Sequence, residues 1–115
     1  METMLPRLMQ LGAPYAVLKG GHLQGESCPD LLATPQGTEW LPAARIATDN
    51  LHGTGCSLSS AIAACLAKLP TETDINAPVG AIHEAKQWLH AALEASGRLN
   101  VGQGRGPVHH FHIWW

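Results

Sequence analysis

The stretch "DNLHGTGCSLSSAIAACLAKL", residues 49 to 69, decides how the chain is read, because glycines, hydroxyl residues and a thiol stand directly before an unbroken helical repeat. From Ser57 to Leu69 the apolar residues Leu58, Ala61, Ile62, Cys65, Leu66 and Leu69 follow three- and four-residue spacing, and Pro70 stops the helix. Gly53, Thr54 and Gly55 precede it as a loop whose backbone can approach a ligand without side-chain obstruction. The first amides of a helix have no internal partner and lie at the positive end of its dipole, so this junction suits an anion. A phosphate there gains about 0.3 to 1 kcal/mol from the dipole, and up to about 2 kcal/mol where water is partly excluded. A helix N-terminus also favours thiolate over thiol, which makes Cys56 the candidate to accept a proton or attack a centre. The competing reading of Cys56 is a small packing residue. The loop is neither a Walker A sequence nor a dinucleotide fingerprint, lacking the Gly-Lys-Ser/Thr of the one and the third glycine of the other.

Upstream, "YAVLKGG" (residues 15 to 21) reads as a buried strand that ends at paired glycines and feeds a loop. Lys19, beside Gly20 and Gly21, stands where α/β sheets present their ligand crevice, and a cation there would meet phosphate. The alternative is a lysine leaving the sheet for solvent. Before this strand, Met4, Leu5, Leu8, Met9 and Leu11 share one side of a short helix that Pro6 limits and Gly12 ends. "DLLATPQGTEWLP" (residues 30 to 42) places a Pro-Gln-Gly turn between two apolar pairs, which predicts a β-hairpin. Downstream, Val79, Ile82, Leu89 and Leu93 predict a second long helix of about five turns, capped by Gly97. The tail "VGQGRGPVHHFHIWW" carries too many glycines for a helix and is expected to pack back onto the body. Helix, strand, loop and helix together are an α/β signature.

Composition narrows the function classes. A chain of 115 residues is one domain at most, and with 45% apolar and 14% charged residues it is suited to fold rather than to remain disordered. The net charge of -2, with no basic stripe interleaved with aromatics, argues against nucleic acid as a partner. Ala61 to Ala67 is the longest apolar run, seven residues against the roughly 20 a membrane helix needs, so no membrane partner is expected. Cys28, Cys56 and Cys65 are an odd set without C-x-x-C spacing, which suggests neither disulfides nor zinc and fits a cytoplasmic location. Cys65 lies on the apolar helix face as a core residue, and Cys28 lies in a loop beside Pro29 with no chemical role. His109, His110 and His112 lack a carboxylate or cysteine at ligand spacing and read as a packed, hydrogen-bonded tail rather than a metal site.

"VLKGGHL", "HGTGCSLSSAIAA" and "GPVHHFHIWW", in this order, resemble the hydroxymethylpyrimidine/phosphomethylpyrimidine kinases of thiamine biosynthesis across nearly the whole chain. The cysteine stands where most ribokinase-like sugar kinases carry an aspartate. The resemblance implies the C-terminal part of a ribokinase-like three-layer α/β/α fold, with residues 1–115 as the nucleotide and anion-hole side of a kinase domain. It implies ATP-dependent phosphorylation of 4-amino-5-hydroxymethyl-2-methylpyrimidine and of its monophosphate. Carried over, Gly53, Thr54 and Gly55 form the anion hole, Cys56 is the base for the substrate hydroxyl, and Lys19 with Gly20 and Gly21 steadies the nucleotide phosphates. Mg²⁺ would accompany ATP, with its ligands and the pyrimidine pocket in the N-terminal half. Partners implied are the pyrimidine, ATP, and further copies of the chain or the complementary N-terminal half. Two departures from the family pattern are Leu51, where a small hydroxyl residue is usual, and Ser57, where threonine is frequent. The alternative function is a truncated, catalytically inactive fragment that binds nucleotide or phosphate.

Overall fold

The computed structural model describes residues 4–20, 29–42, 50–70, 76–104 and 106–114. They fall into two compact units, residues 1–45 and 46–115, each with its own apolar cluster. Gly21 and Cys28, both singled out in the sequence, lie outside the described residues.

The first unit opens with the short helix α1 (Leu5–Met9), in which Pro6 occupies the first turn and Gly12, at φ +98°, turns the chain away. Leu5 is buried, but Leu11 is 82% exposed: it lies beyond the last helical residue and so leaves the apolar side that its spacing predicts. Strand β1 (Ala16–Leu18) pairs antiparallel with β2 (Asp30–Thr34), and β2 with β3 (Gly37–Leu41). The hairpin is closed by Pro35 and Gln36, with Thr34 opposite Gly37. Thr34 Oγ1 accepts from the Gln36 amide and donates to the Gly37 carbonyl, and Gly37 at φ +141° takes a conformation that favours glycine. The central strand β2 is buried along its length except at Thr34, whereas β3 is exposed except at Leu41. Leu5, Leu31 and Ala33 form the cluster of this unit.

The second unit is a pair of helices closed by the tail. Helix α2 (Thr54–Ala67) begins at Thr54 rather than at Ser57, so its first turn takes in the glycine and the cysteine that the apolar repeat leaves in the loop. The cause is Gly53, which as N-cap adopts φ +79° and turns the chain sharply enough for the helix to start at once. Helix α3 (Ala77–Glu94) has Pro78 in its first turn and runs into a 3-10 turn (Ala95–Arg98). Gly97 therefore lies inside that turn, not at a left-handed cap, because the helix tightens instead of reversing.

Leu58 and Cys65 of α2 pack with Ala81, Ala85, Leu89 and Ala92 of α3, and Val108 of the tail is fully buried among them. Small alanines allow the two helices a close approach, and they are the part of the core that an apolar repeat of large residues overlooks. Leu66, placed on the apolar face by its spacing, is instead 39% exposed. The tail is anchored by Val108 and by the His109 amide, which donates to the Ala92 carbonyl at 3.0 Å. Beyond that anchor it forms turns that leave Phe111, Ile113 and Trp114 exposed, so its aromatic end does not pack inward as expected. Among the described residues no helix is long and apolar enough to cross a membrane. Leu89→Ala, which empties the centre of the α2–α3 contact, should cost about 2–5 kcal/mol of stability, read as a lowered urea midpoint.

Candidate functional site

The turn that leads into α2 is built from backbone donors and one bent glycine. The Thr54 amide and hydroxyl both donate to the Leu51 carbonyl, at 3.3 and 2.8 Å, so Thr54 serves the turn itself. The Ser57 amide closes the first helical bond on the Gly53 carbonyl at 2.8 Å. Between them the amides of Gly55 and Cys56 have no hydrogen-bond partner among the described residues. Both residues are exposed, so these donors are open to water. No side chain caps the helix, and Ser59 Oγ donates back to the Gly55 carbonyl at 2.7 Å.

Residues upstream and in the tail hold this turn in place. His52 and Pro107 form a parallel bridge, and the His52 amide donates to the Gly106 carbonyl at 3.2 Å. Asn50 donates through Nδ2 to the Ser96 carbonyl at 3.0 Å, while its Oδ1 lies where a side chain at position 106 would begin. Gly106 is thus required by close approach. From the tail, His110 Nε2 meets Ser57 Oγ at 2.9 Å. Sequence reasoning missed Asn50 and the Ser57–His110 contact, since nothing local links residues so far apart in the chain.

The thiol of Cys56 is exposed, whereas Cys65 is buried in the helix contact as its position on the apolar face implies. Cys56 and Ser57 line one end of an open groove of about 700 Å³ that continues past Trp88, His110 and Trp114. At its far side Lys68 Nζ and Glu84 Oε1 form an exposed ion pair at 3.1 Å, which raises the Lys68 pKa through the hydrogen bond and charge of Glu84. Its exposure makes the pair a minor contributor to stability.

In the first unit, Lys19 and Gly20 follow the last residue of β1. The Gly20 amide donates to Asp30 Oδ1 at 2.9 Å, and Lys19 Nζ lies 3.9 Å from Asp30 Oδ2 with its side chain 40% exposed. Asp30 is buried, and it both tethers the glycine and draws the lysine toward the sheet. In the sequence Asp30 stands out only as the first residue of the hairpin.

The three tail histidines differ in burial and contacts. His109 is buried, and His110 and His112 each approach Trp88, with ring centroids 6.0 and 6.2 Å away. Among the described residues no group of His, Cys, Asp and Glu is suited to hold a metal ion, so these residues do not fit the Mg²⁺ that the resemblance implies.

A small antiparallel sheet in one unit, and in the other a helix pair with a glycine-rich turn opening onto α2, are parts of a ribokinase-like α/β kinase fold. A pyridoxal kinase of Bacillus subtilis, solved as an ADP complex, superposes with a TM-score of 0.80 at 32% identity, over 98% of this chain and 42% of that one. The family model for phosphomethylpyrimidine kinase matches residues 1–109, and the chain belongs to that family. A hydroxymethylpyrimidine/phosphomethylpyrimidine kinase of Rhizobium meliloti is 51% identical over 109 residues, and one of Escherichia coli is 45% identical over 108. Each alignment covers 94% of this chain but 38% of the relative, so the chain spans well under half of the curated relatives' length.

Two measurements test this scaffold. Gly106→Ala forces its new methyl against Asn50 and should cost about 1–3 kcal/mol, with chemical-shift changes centred on Asn50 and His52. Burial lowers the His109 pKa below the ordinary 6.5, helped by Arg98, His112 and His110. The folded chain then binds fewer protons than the unfolded chain, so stability is full above pH 6.5 and falls as pH drops through that value. The melting temperature should decline from pH 8 to pH 5, and His109→Gln should flatten the profile.

Proposed function

We propose that this chain supplies the phosphoryl-transfer side of a hydroxymethylpyrimidine/phosphomethylpyrimidine kinase, with ATP as donor and the hydroxymethyl group of the pyrimidine, then its monophosphate, as acceptor. The observation that carries the reading is the first turn of α2, which presents an exposed thiol beside two amides that have no partner among the described residues.

In this mechanism Cys56, as thiolate, takes the proton of the substrate hydroxyl. The freed oxygen lone pair forms the new O–P bond to the γ-phosphorus, and the bond from that phosphorus to the bridging oxygen breaks, leaving its electrons on ADP. The Gly55 and Cys56 amides face the phosphoryl oxygens, where charge builds during transfer, and the left-handed Gly53 holds them in that direction. Thr54 contributes by fixing the turn through Leu51. Lys19, with Gly20 and Gly21, is assigned to the nucleotide phosphates, with Asp30 limiting the freedom of the ammonium group. Mg²⁺ would supply charge neutralisation to ATP when bound. Its ligands and the pyrimidine pocket are assigned to the part of the kinase that aligns outside this chain.

The test joins residues 1–115 to the N-terminal part of the Rhizobium meliloti relative and follows ADP formation that depends on hydroxymethylpyrimidine. Turnover should appear in the joined protein and be absent from the chain alone. Cys56→Ala should lower kcat by about 10²- to 10⁴-fold while leaving affinity for a non-hydrolysable ATP analogue nearly unchanged. A Cys56→Ala protein as fast as its parent removes the thiol from the chemistry. A joined protein that binds the analogue but never turns over favours the inactive nucleotide- or phosphate-binding fragment.

A further inference from the structure

The first turn of α2 is short of constraints for a place where donors must be aimed. Its N-cap is a glycine, its second residue is Gly55, and no side chain caps it. The bonds made by Thr54, by the Ser57 amide and by Ser59 all stay within the start of the helix and the adjoining loop. Among the described residues, one side-chain hydrogen bond reaches Gly53–Ser57 from a distant part of the chain, that between Ser57 Oγ and His110 Nε2 at 2.9 Å.

His110 is well placed to bear such a bond. Its ring lies 6.0 Å from that of Trp88 on α3, tilted by 43°, a geometry that favours attraction between aromatic rings. Two residues before it, Val108 is locked into the helix contact, and the preceding His109 amide is tied to the Ala92 carbonyl. The imidazole is therefore carried by a fixed piece of backbone. A serine hydroxyl can donate to a bare Nε2 or accept from a protonated one, so the contact is available in either ring state.

We propose that His110 is a positioning residue for phosphoryl transfer: by holding Ser57 it fixes the direction of the Gly55 and Cys56 amides and of the Cys56 thiol. The inference rests on the functional reading above. It adds a tail residue that acts through Ser57. Displacements near 1 Å of an aimed group can cost about 100-fold in rate, so a lost tether should appear in kcat rather than in substrate affinity.

Two experiments decide it. In the 115-residue chain, nitrogen-15 relaxation should give Gly55 and Cys56 amide order parameters near about 0.85, falling toward about 0.6 in His110→Ala and remaining high in His110→Gln, whose amide can reach Ser57. In the joined kinase, His110→Ala and Ser57→Ala should each lower kcat about tenfold or more with KM for the pyrimidine unchanged, and His110→Gln should recover most of the loss. The double variant should be no slower than either single one, because both remove the same contact. Unchanged order parameters in His110→Ala, or losses that multiply in the double variant, overturn the proposal. If Cys56→Ala turns over normally, the functional reading fails on its own, and the tether is then judged by the relaxation data alone.

Discussion

The structure of the second unit depends on one constraint: a helix must begin with amide groups that nothing inside it can satisfy. Here those of Gly55 and Cys56 are directed to solvent, and the surrounding residues fix where they point without occupying them. Gly53 makes the bend, Leu51 receives the Thr54 donors, and Asn50, His52 and Gly106 clamp the strand of chain leading in. An anion that replaces water at these donors gains the dipole field and direct hydrogen bonds together, with little reorganisation of the backbone. Phosphoryl transfer asks for chiefly this kind of positioned charge stabilisation.

Much of this was legible in the sequence because it was local. The order of short helix, strand, hairpin and two helices follows from apolar spacing punctuated by Pro6, Gly12, Pro35, Gly37 and Pro70. The motifs around Cys56 led to the family, which the match over residues 1–109 establishes. The points that escaped have physical reasons. Position Thr54 rather than Ser57 begins α2 because a left-handed glycine permits an early start that an apolar repeat cannot register. Alanines 81, 85 and 92 carry the helix contact through smallness, which hydrophobic spacing undervalues. Gly97 looked like a terminator, yet the helix tightened into a 3-10 turn around it. The tail placed Val108 and His109 inside and left Phe111 and Trp114 outside, since burial there is set by the anchor at Val108.

The site residues were harder to read than the fold because their meaning lies in partners distant along the chain. Ser57 looks like a minor departure from a frequent threonine until His110 is found on its hydroxyl. Asp30 looks like the edge of a hairpin until its two oxygens are found facing the Gly20 amide and the Lys19 ammonium. The chain, which covers 38% of the Rhizobium meliloti relative, contains the turn, the thiol and the tail, and among its described residues no group of His, Cys, Asp and Glu is suited to hold a metal ion. The proposed function divides the work accordingly, with a donor-rich turn for the phosphoryl group on this side and the acceptor pocket assigned to the other.

The most direct measurement of the central claim is a nitrogen-15 NMR titration of the 115-residue chain with inorganic pyrophosphate. If the opening of α2 is an anion cradle, the largest saturable shifts fall on the Gly55 and Cys56 amides. Saturable shifts confined to other residues, with those two amides unmoved, would contradict the account.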